Sequence, residues 1–479
     1  MIYKLRPYQE ECVKSISDYI NSDRHDPVLI VGPVGCGKSL LIAEAARLMG
    51  DKTLILQPSK ELLQQNHDKI TSYGIPATIY SASCGKKELS NMIYATLGSI
   101  NKVVDKLKEM GIRNVLIDEA HAGYSPEDGS EFMTFMNELK PKKVIGFTAT
   151  PCRLKTMSIG QVSYSQLNFI TRMRPVYFKN LIHVIQVEEM IRQGFWTPLK
   201  YETWDFNGDA LKLNSNGSEY TAESISEAVR KNGLNNLILR RLMVLKDVCR
   251  SILVFMDSVE SCNTAAEWMN AKICAGMAEV VHGGTPKRQR EAIVERFKSG
   301  GTQVVFNYSA LGTGFDHPGL DCVVFGRPTF SFSTWYQAIG RAVRIKDGKD
   351  SAMVVDCCDN SSRFGDIRGL SIENYKGYGW GMFIDDKLIT NIPMGDKVTK
   401  TDLDIKAAKK DRRRGLAQGV TAAPIPGRPP HPLGSTVMAF GKYSGWMLHS
   451  IPVSYFKFIN ETFDWDLSLI HISEPTRPL

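Results

Sequence analysis

The chain has 479 residues, 59 Lys and Arg against 51 Asp and Glu, and 43% hydrophobic against 23% charged residues, enough for about two to three domains at ~100–200 residues each. The ordinary apolar fraction excludes a wholly disordered chain, no stretch approaches the roughly 18–20 uninterrupted apolar residues of a membrane helix, and the opening MIYKLRPYQEE lacks the apolar core of a secretory signal. A net charge of +8 permits a polyanionic partner without demanding one, and no membrane partner is expected.

In chain order, RPYQEECVKSISDYI has the spacing of an amphipathic helix, then come an apolar run at 28–31, a glycine-rich turn and the helix pattern SLLIAEAARLM. A strand at 53–56, a helix around ELLQQNHDKI, and strands at 114–117 and 143–147 follow. Short β-branched runs between amphipathic helices predict a parallel sheet covered on both faces. A second alternation starts near residue 240, with strands at 251–255, 302–306, 322–325 and 352–355 and helices such as REAIVERFKSG between them. The expected fold class is α/β, with two doubly wound parallel-sheet lobes at 1–204 and 240–358 and a polar linker or insert at 205–239. Residues 359–418 are expected to form a small irregular or β-rich appendage carrying a basic run of Lys406, Lys409, Lys410, Arg412, Arg413 and Arg414. A Pro/Gly linker at 419–434 leads to a compact module at 435–467, too small to own a large core. The tail, 468–479, continues no pattern and reads as disordered or as a non-native scar.

Ten cysteines are scattered without a Cys-x-x-Cys pair or a Cys/His quartet at zinc spacing. Buried thiols in a reducing, cytoplasmic compartment are expected.

Gly32-Pro33-Val34-Gly35-Cys36-Gly37-Lys38-Ser39 fits G-x-x-x-x-G-K-[ST] and lies between a predicted strand and a predicted helix. Its glycines, among them Gly32, Gly35 and Gly37, let backbone N–H groups wrap phosphates, and the helix N-terminus favours negative charge. Lys38 would reach the β- and γ-phosphates of ATP, and Ser39 would ligate Mg²⁺. Asp118-Glu119-Ala120-His121 follows an apolar strand. A carboxylate there, Asp118, can hold Mg²⁺, and the next, Glu119, can polarise the attacking water. Thr148-Ala149-Thr150 ends another strand, where Thr148 and Thr150 can bond to the acidic motif and couple its state to the rest of the chain.

The order of phosphate loop, Asp-Glu-Ala-His, Thr-Ala-Thr and a second lobe carrying Gln337-Ala338-Ile339-Gly340-Arg341-Ala342-Val343-Arg344 resembles superfamily 2 DEAH-box-type helicases over roughly residues 1–356. Within that superfamily the segments LRPYQEE, SKELLQQNHDKI and GFWTPL, with the run around 312–344, look most like RadD-like and phage UvsW-like branch-migration helicases. The resemblance implies tandem RecA-like lobes with ATP between them, and work on DNA at forks, branches or single-stranded regions. It implies that Arg341 and Arg344 stabilise the transferring phosphoryl group, that Gln337 positions that group or the water, and that Arg6 and Gln9 read the adenine. Gly312 and Asp316 are expected at the nucleotide cleft. Ser59, Lys60, Thr96, Ser99, Thr285, Thr313 and Arg153 are expected along the nucleic acid, held through its backbone.

The chain departs from these relatives in lacking the zinc elements of RadD-like proteins and in placing Cys36 where glycine or alanine is usual, which suggests a thiol-sensitive site. The C-terminal pattern Phe440-Gly441-Lys442, Gly445, Leu448, Ile451-Pro452 and Tyr455 resembles a small module of phage and bacterial DNA-metabolism proteins and is expected to recruit replication or recombination proteins. Two other functions fit the same letters: an RNA helicase, and a duplex DNA translocase of a restriction-like complex that does not separate strands. A non-enzymatic scaffold is disfavoured by the intact Lys38, Ser39, Asp118, Glu119, Arg341 and Arg344.

Overall fold

The computed structural model describes residues 4–50, 52–159, 162–311, 317–376 and 378–407. Gly312, Thr313 and Asp316, the basic run from Lys409 onward, the Pro/Gly linker, the C-terminal module and the tail lie outside the described residues.

The strands of the first lobe are β1 (Val28–Val31), β2 (Thr53–Leu56), β3 (Thr78–Ser81), β4 (Lys86–Lys87), β5 (Met92–Ala95), β6 (Asn114–Ile117), β7 (Lys143–Thr148), the hairpin β8 (Cys152–Ile159) and β9 (Val162–Phe169), and β10 (Asn180–Val184). All but the hairpin join one sheet in the order β10-β1-β7-β6-β2-β5-β3-β4, parallel except for the short β4. β1, β2, β5, β6 and β7 are buried at every residue, as strands covered by helices on both faces must be. The helix Pro7–Asn21 opens with proline at its first position, where no N–H is needed. Gln9 Oε1 accepts the N–H of Arg6 at 3.0 Å, and the stripe Tyr8, Cys12, Ile16 and Tyr19 packs inward.

The second lobe holds β11 (Leu199–Thr203), β12 (Ile252–Phe255), β13 (Ala278–His282), β14 (Val304–Tyr308), β15 (Cys322–Phe325) and β16 (Ala352–Asp356). They form a six-stranded sheet, β11-β16-β15-β12-β14-β13, parallel throughout. β11 corrects the lobe boundary expected at 204. Leu199 pairs with Ala352 and Thr203 with Asp356, so the chain has already crossed to the second sheet by Leu199. The span expected as a linker also contributes to this lobe. The helix Ala222–Lys231 and the start of the helix Leu234–Val248 bury Ile225, Val229, Leu234 and Ile238 in the same core as Ile252 and Val304.

The expected appendage is an antiparallel sheet of β17 (Leu370–Tyr375), β18 (Gly379–Ile384), β19 (Lys387–Leu388) and β20 (Val398–Thr399). It is fastened to the first lobe. Gln186 spans the backbone of Ile372 with two bonds of 2.8 and 3.1 Å, and Asn391 N donates to Leu167 O of the hairpin at 2.7 Å. Among the described residues no helix is long and apolar enough to cross a membrane.

The lobes meet where the helix Phe332–Ala342 approaches the phosphate loop. Gly340 lies on that helix, and a Cβ added there would stand 2.3 Å from Val34 Cγ2. Gly340→Ala should therefore overpack the interface at a cost of about 1–3 kcal/mol. Val34→Ala in the same chain should recover most of it, as read by denaturant unfolding of the two variants.

Candidate nucleotide and nucleic-acid sites

Parallel register brings the motifs to one level. Val31 stands opposite Thr148, Ile117 opposite Gly146, and Leu56 opposite both Ile117 and Ala95. The phosphate loop, the acidic motif, Thr148, Gln57 and Thr96 thus all leave the sheet at its carboxyl edge, the edge where ligands of doubly wound folds bind.

Gly35 and Gly37 take φ of 81° and 83°, a region open to glycine at little cost. Gly37 immediately precedes the helix Lys38–Met49. The Cys36 carbonyl accepts Tyr8 Oη at 3.1 Å and Gln9 Nε2 at 2.9 Å. Gln9 therefore sits beneath the loop with both ends of its amide engaged, while Arg6 lines the cleft with its guanidinium 4.4 Å from the centre of the Phe195 ring. The Cys36 side chain is fully buried, and burial raises its thiol above the ordinary range. This corrects the expectation of a thiol-sensitive site, because a buried protonated thiol is a poor nucleophile.

Lys38 Nζ lies 3.9 Å from Glu119 Oε1. Burial opposes its charge, but the facing Glu119 carboxylate and the nearby Asp118 outweigh that effect and hold the ammonium above the usual lysine range. The Asp118 carboxyl is raised too, first by burial and then by the adjacent Glu119, a shift that disfavours its charge. Glu119 adopts φ 46°, a left-handed conformation that costs a non-glycine residue energy and is concentrated at functional sites. The turn directs its carboxylate between Lys38 and His121, whose Nδ1 is 3.4 Å from Glu119 Oε2. His121 Nδ1 also lies 2.8 Å from Thr148 Oγ1, and its Nε2 lies 3.4 Å from Ser333 Oγ of the second lobe. Thr150 is buried behind Thr148, with its N–H on Thr148 Oγ1 at 3.0 Å.

Asn66 belongs to none of the motifs recognised in the sequence. It is 4% exposed, its Oδ1 accepts Ser39 Oγ at 2.6 Å, and its Nδ2 donates to Asp118 Oδ2 at 2.9 Å. It thereby holds the hydroxyl and the carboxylate expected to share Mg²⁺ on either side of one amide. Only its place on the inner face of the helix Lys60–Ser72, beside Leu63 and Ile70, marks it in the sequence, as a polar residue on an apolar stripe. Among the described residues no three His, Cys, Asp or Glu side chains converge as a metal cage. A hydroxyl with one carboxylate nevertheless suits Mg²⁺, which keeps several waters and shares phosphate oxygens.

Gln337, Arg341 and Arg344 of the second lobe face these groups across a cavity of about 340 Å³ that Lys38, Ser39, Asp118 and Glu119 also line. Burial pushes Arg341 down to about 10 and also lowers Arg344. Both still carry charge at neutral pH.

Of the expected nucleic-acid residues, Ser59, Lys60, Thr96 and Ser99 lie beyond the carboxyl ends of the neighbouring strands β2 and β5. Ser59 caps its helix by accepting Leu62 N at 3.3 Å. Thr96 Oγ1 donates to Ser99 Oγ at 3.1 Å, and Ser99 Oγ accepts Ala82 N at 3.0 Å. Thr285 follows β13 and accepts His282 N at 3.0 Å. Arg153 departs from expectation: its guanidinium turns inward to the carbonyls of Ala120 and Tyr124, at 3.3 and 2.6 Å, and braces the loop behind the acidic motif.

Residues 2–153 match the family described as type III restriction enzyme, res subunit, and residues 234–346 match the helicase conserved C-terminal domain. The two matches fall on the first and the second lobe respectively. It is 25% identical over 279 residues to IRC3 of Saccharomyces cerevisiae, an ATP-dependent helicase by its name, covering 57% of this chain and 38% of that one. It is 24% identical over 332 residues to a 51.5 kDa protein of a Lactococcus phage, covering 68% and 65%. The chain thus spans less than two thirds of either relative. The fold of a type I restriction enzyme HsdR subunit fragment from Vibrio vulnificus is similar, with a TM-score of 0.55 at 18% identity over 76% of this chain and 66% of that one. The DNA-bound type ISP restriction-modification enzyme LlaBIII gives 0.54 at 15% identity over 75% and 28%. Both likenesses place the two sheets as tandem RecA-like lobes.

Asn66→Leu should raise the Mg²⁺ concentration needed for half-maximal ATP turnover by about 10–100-fold, the usual effect of losing an outer partner of a metal ligand. An unchanged Mg²⁺ titration would count against the bridge. Alkylation of the native chain followed by mass mapping should label the exposed Cys274 first and leave the buried Cys36 unmodified until denaturant is added.

Proposed function

We propose that the chain is an ATP-driven DNA helicase or translocase that remodels forked or branched DNA in replication, recombination or repair, in the manner of RadD-like and UvsW-like proteins. The observation that carries the reading is the single cleft in which Lys38, Ser39, Asp118 and Glu119 of one lobe face Gln337, Arg341 and Arg344 of the other. Five cationic side chains and two carboxylates line it, an excess that suits a triphosphate.

In this reading Arg6 and Phe195 flank the base, and the loop N–H groups with Lys38 hold the β- and γ-phosphates. Ser39 and Asp118, spaced by Asn66, would hold Mg²⁺, whose charge would be supplied to the phosphate oxygens. Glu119 orients the attacking water and takes its proton, and the strained turn at Glu119 fixes that carboxylate near Lys38. Arg341 and Arg344 stabilise charge on the transferring phosphoryl group, with Gln337 beside them. His121, placed between Thr148 and Ser333, connects the acidic motif to the second lobe. Ser59, Lys60, Thr96, Ser99 and Thr285 bind the nucleic-acid backbone at the same sheet edges, and the C-terminal module recruits protein partners.

A second reading, a duplex DNA translocase without strand separation, is favoured by the match of residues 2–153 to the res subunit of restriction enzymes.

Lys38→Ala and Glu119→Gln should each lower ATP turnover by about 100-fold or more. Wild-type turnover in either variant would overturn the assignment. ATPase and strand separation should be compared on single-stranded DNA, forks, four-way junctions, blunt duplex and structured RNA. Separation of forks or junctions supports the first reading. Stimulation by blunt duplex without separation supports the second. Stimulation by RNA alone would exclude both.

A further inference from the structure

The segment 194–198 joins the lobes between the helix Val187–Arg192 and β11. Its bonds reach both halves of the cleft. Trp196 is 3% exposed, and its Nε1 donates to the Val34 carbonyl of the phosphate loop at 3.0 Å. Thr197 is 2% exposed. Its N–H donates to Val343 O at 2.7 Å, and its Oγ1 donates to Arg344 O at 2.8 Å. Pro198 O accepts Ala352 N at 2.9 Å and so seats the segment on the second sheet. The preceding Phe195 stacks under Arg6 and meets the Tyr8 ring edge-on at 5.2 Å.

We infer that Trp196 and Thr197 are positioning residues for ATP hydrolysis, a two-residue strut that sets the distance between the phosphate loop and Arg344. The inference rests on the function proposed above. Adjacent α-carbons are about 3.8 Å apart and the trans peptide between them does not stretch. A residue bonded to the loop and a neighbour bonded to the arginine segment therefore leave the two little room to separate while both contacts hold. The grip on Arg344 is doubled, because Lys349 Nζ also donates to Arg344 O at 2.8 Å and to Ala342 O at 2.6 Å. The geometry is selective for the chemical step. The strut bonds to the backbone carbonyls of Val34 and Arg344, which line the cleft, and to none of the side chains proposed to touch phosphate, so its loss misplaces Arg344 without removing a ligand of ATP.

The test compares Thr197→Val, which keeps the shape and drops the hydroxyl, with Thr197→Ser, which keeps the hydroxyl, and with Trp196→Phe. Steady-state ATPase in saturating single-stranded or forked DNA gives kcat and KM, and thermal unfolding is followed in parallel. Thr197→Val and Trp196→Phe should each lower kcat by about tenfold, because each removes one of the bonds that place Arg344 against the phosphate loop. KM for ATP and the unfolding midpoint should stay near wild type, and Thr197→Ser should keep its kcat. Wild-type kcat in Thr197→Val, an equal loss in Thr197→Ser, or a loss that follows the unfolding midpoint overturns the strut. If Thr197→Val does not fold, Lys349→Met, which removes the other donor to the same carbonyl, must show the same kcat-selective loss. Absence of DNA-stimulated turnover in the wild-type chain would instead refute the proposed function itself.

Discussion

Backbone register is the constraint on which the cleft depends. β1, β7, β6 and β2 pair in parallel, with Val31 level with Thr148 and with Leu56 and Ile117 level with Gly146 two residues earlier, so four loops emerge side by side. The ladder runs one step beyond the strands, with Asp118 N on Leu56 O at 3.0 Å and Ala120 N on Phe147 O at 2.9 Å. Glu119 lies between those two anchors, and its left-handed turn is sustained by the sheet on either side. A slip of one residue in any of these strands would invert its side chains and carry a motif away from its partners. Because the strands are buried on both faces, the apolar core resists that slip.

The charges in the cleft hold one another. Lys38 is partly buried yet keeps its proton because Glu119 faces it, while charge on Asp118 is disfavoured by burial and by the same Glu119. Asn66 gives Asp118 a donor and Ser39 an acceptor. Buried charges that lose a partner are costly, so the set is an interlocked group rather than a row of independent ligands. The arginines of the second lobe are desolvated as well, and a closed cleft strengthens every interaction inside it.

Contact between the lobes is carried by small, specific features. Gly340 admits Val34 where any side chain would block approach. His121 stands between Thr148 of the first lobe and Ser333 of the second. The crossing segment touches the loop on one side and the arginine segment on the other. Each joins a residue at the cleft wall of the first lobe to one carried by the other sheet.

Local chemistry made much of this legible in the residues alone. A phosphate loop needs glycines, a lysine and a hydroxyl in fixed order, and buried parallel strands need short β-branched runs, so Lys38, Ser39, Asp118 and the strands at 28–31, 53–56, 114–117 and 322–325 could be read directly. The appendage and the polar span at 205–239 were harder, because strands as short as β19 carry weak local patterns and the amphipathic helix Ala222–Lys231 follows a run rich in Asn, Ser and Gly that reads as a loop. Tertiary structure alone decided that Leu199–Thr203 pairs with β16, since a five-residue strand carries no mark of which sheet it will join. It also turned Arg153 inward, buried Cys36, set Gln9 beneath the loop, and brought Asn66, Trp196 and Thr197 to the cleft. Those assignments depend on which surfaces meet in space, and an amide, an indole or a hydroxyl has the same letter whether it caps a helix or braces a catalytic group.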